Sequence, residues 1–87
     1  MEFEYDPAKS TSNALKHGID FEDAKALWSD FLRIEIPANN TDEPRFLIIG
    51  KINDKMWSAI VTDRQGKIRI ISVRRSRREE EVLYECQ

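Results

Sequence analysis

The chain has 87 residues, 40% hydrophobic and 34% charged, with a formal net charge of −2. That suits one domain with one modest core and excludes a disordered tail. No apolar run nears the ~20 residues that span a bilayer. Met1–Asp6 lacks the basic start and apolar stretch of a signal peptide, so a cytoplasmic, membrane-free protein is expected.

In chain order, Asp6-Pro7 reads as a helix start, with Asp as N-cap and Pro in the first turn. The helix runs through Ala8, Asn13, Ala14 and Leu15 and stops at His17-Gly18, where glycine takes the left-handed cap. Asp20 is a second N-cap. Phe21, Ala24, Leu27, Trp28 and Phe31 follow at helical spacing and predict a second helix with one apolar face. Leu32, Ile34 and Ile36 alternate with Arg33 and Glu35 as a strand, and Pro37–Pro44 reads as a polar loop. Three more strands are expected: Arg45–Ile52, Met56–Asp63 and Lys67–Arg75. The turns Asn53-Asp54-Lys55 and Arg64-Gln65-Gly66 join them as hairpins. Ser76-x-x-Glu79 has the form of a capping box, and Glu80–Tyr84 continue a last helix. The expected architecture is a single α+β domain over residues 1–87. It has two N-terminal helices, a four-stranded antiparallel meander and a C-terminal helix, with the helices covering one face of the sheet.

The charge is unevenly placed. Residues 1–68 carry 9 basic and 12 acidic side chains, residues 69–78 carry five arginines and no acid, and residues 79–87 carry four glutamates and no base. Any one of Arg69, Arg74, Arg75, Arg77 and Arg78 is readily explained by pairing with Glu79, Glu80 or Glu81. Five without an intervening acid favour contact with an anionic ligand or partner. The strand alternation puts Ile68, Ile70, Ser72 and Arg74 on one face, and Arg69, Ile71, Val73 and Arg75 on the other. Arg74 and Arg75 therefore diverge just before a helix N-terminus, a combination that favours phosphate. The acidic flanks keep that attraction local.

His17 is the only histidine, and imidazole is the side chain that exchanges protons near neutral pH. A lone histidine at a helix end is also an ordinary capping residue. Lys9 and Lys16 lie two turns apart on one side of the first helix, where exposed lysines are commonly just solvated. Glu43 and Arg45 open the second strand. They offer an acid or base and a cation, or serve as polar loop-edge residues. Trp28 and Trp57 read as core. No metal-ligand spacing, phosphate loop or basic recognition helix is present, so no cofactor or metal is expected. Cys86, the only cysteine, allows neither an internal disulfide nor a cysteine-rich zinc site.

Phe3-x-x-Asp6-x-x-Lys9-x-x-x-Asn13-x-x-Lys16-His17-Gly18-Ile19-x-Phe21-x-x-Ala24 resembles the opening of the BrnT family of toxins. Glu43-x-Arg45-x-x-x-Ile49-Gly50 is similar to the family too. So is Arg69-Ile70-Ile71-Ser72-x-Arg74-Arg75-x-x-Arg78-Glu79-Glu80, with Tyr84 one turn on. The chain departs from the family at Val73, where Ala is common, and at Ser76-Arg77, where Ala-Thr is common. The resemblance implies a RelE-like fold and a type II toxin–antitoxin toxin that cleaves RNA and inhibits translation. It implies a BrnA-like, DNA-binding antitoxin as partner, in a heterotetramer that reaches operator DNA only through the antitoxin. On that reading Arg74 and Arg75 hold the scissile or a neighbouring phosphate, Arg45 and Arg69 complete the cationic pocket, and Lys9 or Lys16 reaches in from the first helix. Arg78 adds an RNA contact, and His17 or Glu43 carries the proton. The competing reading is a non-catalytic module that grips an acidic partner through the arginines.

Overall fold

The computed structural model describes residues 1–38 and 42–87. Its elements are β1 (Phe3–Glu4), α1 (Pro7–His17), α2 (Phe21–Ala24), a 3-10 helix (Lys25–Ser29), β2 (Ile34–Ala38), β3 (Arg45–Ile52), β4 (Lys55–Arg64), β5 (Lys67–Arg75) and α3 (Arg78–Glu85). The expected α+β class holds, and two details of the sheet differ. It has five strands in the order β1-β5-β4-β3-β2. It is also mixed, because β1 pairs with β5 in parallel, Phe3 opposite Ile68 and Glu4 opposite Arg69. A two-residue strand has too few positions to show a period of two, so pattern could not reveal it.

The helix starts follow their caps. Asp6 accepts from the Ala8 N–H at 2.9 Å and Asp20 from the Asp23 N–H at 2.7 Å. Gly18 ends α1 in the left-handed region at φ 82°, its N–H donating to the Ala14 carbonyl at 2.9 Å. The second helix is shorter than its apolar spacing predicts. It gives way to the 3-10 helix at Lys25, and Phe31 ends 98% exposed rather than on an apolar face. Asp30 is the physical reason. Its carboxylate accepts from the backbone N–H groups of Leu32 and Lys51, both at 2.9 Å, and so turns the chain down onto β3. Gly50 makes room for that approach, since a Cβ there would lie 3.1 Å from Leu27 Cδ2.

The strand of Leu32–Ile36 begins later and runs further, over Ile34–Ala38, with Pro37 on the outer edge where its missing N–H is tolerated. Of the polar loop expected over Pro37–Pro44, positions 39–41 lie outside the described residues. Both hairpins are tighter than expected. Their two-residue turns, Asn53-Asp54 and Gln65-Gly66, have φ values of 50°, 70°, 56° and 82°. That is the turn geometry matching the strand twist.

Helices cover both faces of the sheet, not one. Against the first face pack Phe21, Ala24 and Leu27, burying Ile48, Ala59, Val61, Ile70 and Val73. Against the second face packs α3, whose Tyr84 clusters with Ile49 and Met56. A bulge places Ile60 opposite Ser72 but Val61 opposite Ile70, leaving Ile71 as the extra residue. The expected alternation of β5 is therefore broken. Ile70 shares a face with Val73, while Arg69, Ser72 and Arg74 lie on the α3 side.

Candidate functional site

The arginine cluster does not act as a unit. Arg74 binds Glu80 with both terminal guanidinium nitrogens, each at 2.8 Å. The buried Glu80 carboxylate also accepts from the Ser58 hydroxyl and the Arg77 backbone N–H, both at 2.8 Å. Arg74 beside it, helped by those hydrogen bonds, holds the Glu80 carboxyl at about 2 against the burial that opposes ionisation. Glu80 thus fills the helix N-terminus where an external anion was expected. The cap is one residue later than the Ser76-Glu79 pattern: Arg77 is the N-cap and Glu80 reaches back to it. Ser76 instead shares a 2.8 Å hydrogen bond with Ser58.

Two further arginines also face acids. Arg69 pairs with Glu4 at 2.9 Å, and Arg78 lies 3.4 Å from Glu81 and 3.8 Å from Glu85. Arg75 and Arg77 differ. Both are exposed, and among the described residues neither has a carboxylate within 4 Å. The Arg75 guanidinium lies over Trp57, 5.4 Å from the ring centroid, and its Nε donates to the Met56 carbonyl at 3.2 Å. That stack holds the cation at the strand end with its outer side in solvent.

Glu43 and Arg45 lie at the other end of the sheet. Glu43 sits 3.9 Å from Arg45 and 3.8 Å from Arg64. Thr62 of β4 pairs with both Arg45 and Arg69, so those two arginines share a row across the sheet. From Arg69 to Arg74 the strand climbs roughly 16 Å at its usual rise. The strand residues singled out from sequence therefore form two separate groups rather than one pocket.

The first helix supplies a third group. A groove of about 210 Å³ runs between α1 and β5, lined by Lys9, Ser12, Asn13, Lys16, His17, Ile71 and Ser72. No acid lines it, and Lys9 and Lys16 have no ion pair among the described residues. Asn13 forms its floor. Its amide donates to the Val73 carbonyl at 2.9 Å and to the Ile19 carbonyl at 2.8 Å, and its oxygen accepts from the Val73 N–H at 3.2 Å. Beyond the end of β1, Asn13 thus takes the place of a neighbouring strand along the free edge of β5. This fixes the register of Lys9, Lys16 and His17 against Ile71 and Ser72. Ser10 helps by accepting from the Phe21 N–H at 2.9 Å.

Sequence reasoning missed Asn13 as an organiser, along with Ser58, Ser72 and Ser76. Asn13 stood in the quoted pattern, but its role needed a partner 60 residues away. Among the described residues, no three His, Cys, Asp or Glu side chains group as a metal ion would require. No helix of the described chain is long and apolar enough to cross a membrane.

Residues 5–80 match the family model described as the ribonuclease toxin, BrnT, of type II toxin–antitoxin systems. The comparison with curated proteins gave no match.

Proposed function

The chain belongs to the BrnT family of type II toxin–antitoxin ribonuclease toxins, and from that premise we propose that it is a metal-independent endoribonuclease cutting RNA in the α1–β5 groove. Family membership implies an RNA target and an antitoxin partner. The finer reading is that the antitoxin is BrnA-like and joins the toxin in a heterotetramer. Operator DNA is then touched only through it, and free toxin slows translation.

The observation that carries the catalytic reading is the groove itself: two lysines and a histidine along one wall, a serine on the other, and no acid to neutralise them. Cleavage without a metal requires the 2′-OH to lose a proton while its oxygen attacks phosphorus. Negative charge builds on the phosphate oxygens, and the departing 5′ oxygen gains a proton. Lys9 and Lys16, roughly 10 Å apart along α1, meet the growing charge. His17 moves the proton. Arg75, about 10 Å up the strand from Ser72, takes a neighbouring phosphate. Arg74 becomes a positioning residue, because Glu80 occupies both of its terminal nitrogens. Arg45, Arg69, Arg78 and Glu43 stand outside the cutting centre in this proposal. Three of the five clustered arginines already have internal acids, which gives little support to a module gripping an acidic partner.

The test is incubation of purified protein with single-stranded RNA in EDTA. Wild type is expected to cut. His17→Ala is expected to lose about 10²–10⁴-fold in rate, the usual worth of a proton-transfer group. Lys9→Ala and Lys16→Ala are expected to lose at least tenfold. Wild-type cutting by the His17 variant, or loss of cutting in EDTA, would overturn the proposal.

A further inference from the structure

A second recess, of about 470 Å³, opens on the other side of the α1 C-terminal turn. Gly18, Ile19, Asp23, Asn53, Lys55 and Trp57 line it. We propose that this cleft selects sequence: it receives one unpaired RNA base flanking the cut phosphate, read by Asn53 and Asp23. The inference rests on the ribonuclease reading above and adds a subsite to it.

Continuity is the first support. His17 lines the cutting groove and Gly18 lines the cleft, so consecutive residues wall the two recesses. A single RNA strand leaving the groove passes the left-handed turn at Gly18 and meets the cleft next. Charge is the second. Arg75 stacks on Trp57, which lines the cleft, and Lys55 stands at its rim. These place two cations beside the recess, where they can meet the phosphates that flank the base.

Chemistry is the third. Ile19, Ile52 and Trp57 make an apolar floor suited to a base face. The Asn53 amide and the Asp23 carboxylate make no hydrogen bond or ion pair among the described residues. An amide offers one donor and one acceptor group, and a carboxylate accepts from the N–H groups on a base's pairing edge. Asn53 occupies the tight β3–β4 turn at φ 50°, which sets where its side chain leaves the backbone. Unpaired bases splayed from the strand are what proteins read in single-stranded RNA. The groove alone, with cations meeting phosphate, carries no sequence information.

The experiment maps cut ends on a randomised single-stranded RNA for wild type, Asp23→Asn and Asn53→Gly. Glycine is used at position 53 because it keeps the positive φ while removing the amide. Wild type is expected to favour one base at a position beside the cut by roughly tenfold, the scale of a good base-edge contact. Each variant is expected to bring that preference below about twofold while total cutting stays within about threefold. Unchanged cut-site profiles would overturn the inference, as would a wild type with no base preference. So would variants that melt like wild type but no longer cut, because that would make these residues part of catalysis. A wild type that cuts no RNA would sink the ribonuclease reading itself, which separates the two failures.

Discussion

Glu80 is the residue whose surroundings most change the reading of the arginine cluster. Its carboxyl ionises at about 2 rather than 4.5, chiefly through Arg74. Between those values the unfolded chain binds a proton that the folded chain does not. Stability from this pair is therefore full above about pH 4.5, falls as pH drops, and is gone near pH 2. Allowing for the part-exposed Arg74, the contribution is on the order of 2–3 kcal/mol. Urea unfolding at pH 7 and pH 3 is expected to show part of this loss in wild type and a flatter dependence in Glu80→Gln. A Glu80→Ala protein is expected to lose about 3 kcal/mol at pH 7, because Arg74 and Ser58 are left without their acceptor.

Among the elements, α1 and α3 are each tied to the sheet by a few specific atoms. Asn13 satisfies the Val73 N–H, the Val73 carbonyl and the Ile19 carbonyl at once. Asn13→Ala is expected to cost about 2–4 kcal/mol, lowering Tm by roughly 10–20 °C in a domain of this size, as calorimetry can measure. Because the same contacts set the register of the groove, RNA cutting in this variant is expected to fall even at temperatures where it stays folded. The second tie is the Tyr84 hydroxyl, which donates to Asp30 at 2.7 Å. Burial, aided by Asp30, pushes Tyr84 up to about 12. That contribution is complete below about pH 10 and is lost as pH rises towards 12. Tyr84→Phe is expected to cost about 1 kcal/mol at pH 7, since Asp30 keeps two backbone donors. It is also expected to remove part of the alkaline unfolding step, which near-UV circular dichroism follows.

For the whole molecule, the net charge of −2 means that RNA is not drawn in from afar. On the proposed function, affinity comes from the local track of Lys9, Lys16 and Arg75. Three phosphate contacts predict a slope of about −2 for log affinity against log salt concentration on single-stranded RNA. Replacing any one of these residues by alanine is expected to make the slope shallower by about 0.7. Arg45→Ala, at the far end of the sheet, is expected to leave it unchanged. Fluorescence anisotropy with a labelled oligoribonucleotide over a salt series measures both.

Local chemistry accounts for the features that are legible along the chain. The caps Asp6, Gly18 and Asp20, the hairpin meander of the last three strands and the closing helix were legible because each depends on neighbours in the chain. The family was legible because its motifs are contiguous. Tertiary structure decided the rest. Strand β1 exists only because β5 offers it an edge. The bulge at Ile71 reverses the faces of β5, and no one-dimensional alternation registers it. Phe31 is turned outward because Asp30 reaches β3. The candidate site followed the same division. Charge density pointed to five arginines, and the family resemblance brought in Lys9, Lys16 and His17. Ion pairing, set by the approach of Glu4, Glu80, Glu81 and Glu85, left Arg75 and Arg77 open to a ligand. The groove that unites the helix residues depends on one asparagine reaching across 60 residues to the edge of a strand. Charge along a chain is visible in sequence, but whether a charge is already satisfied is decided only by folding.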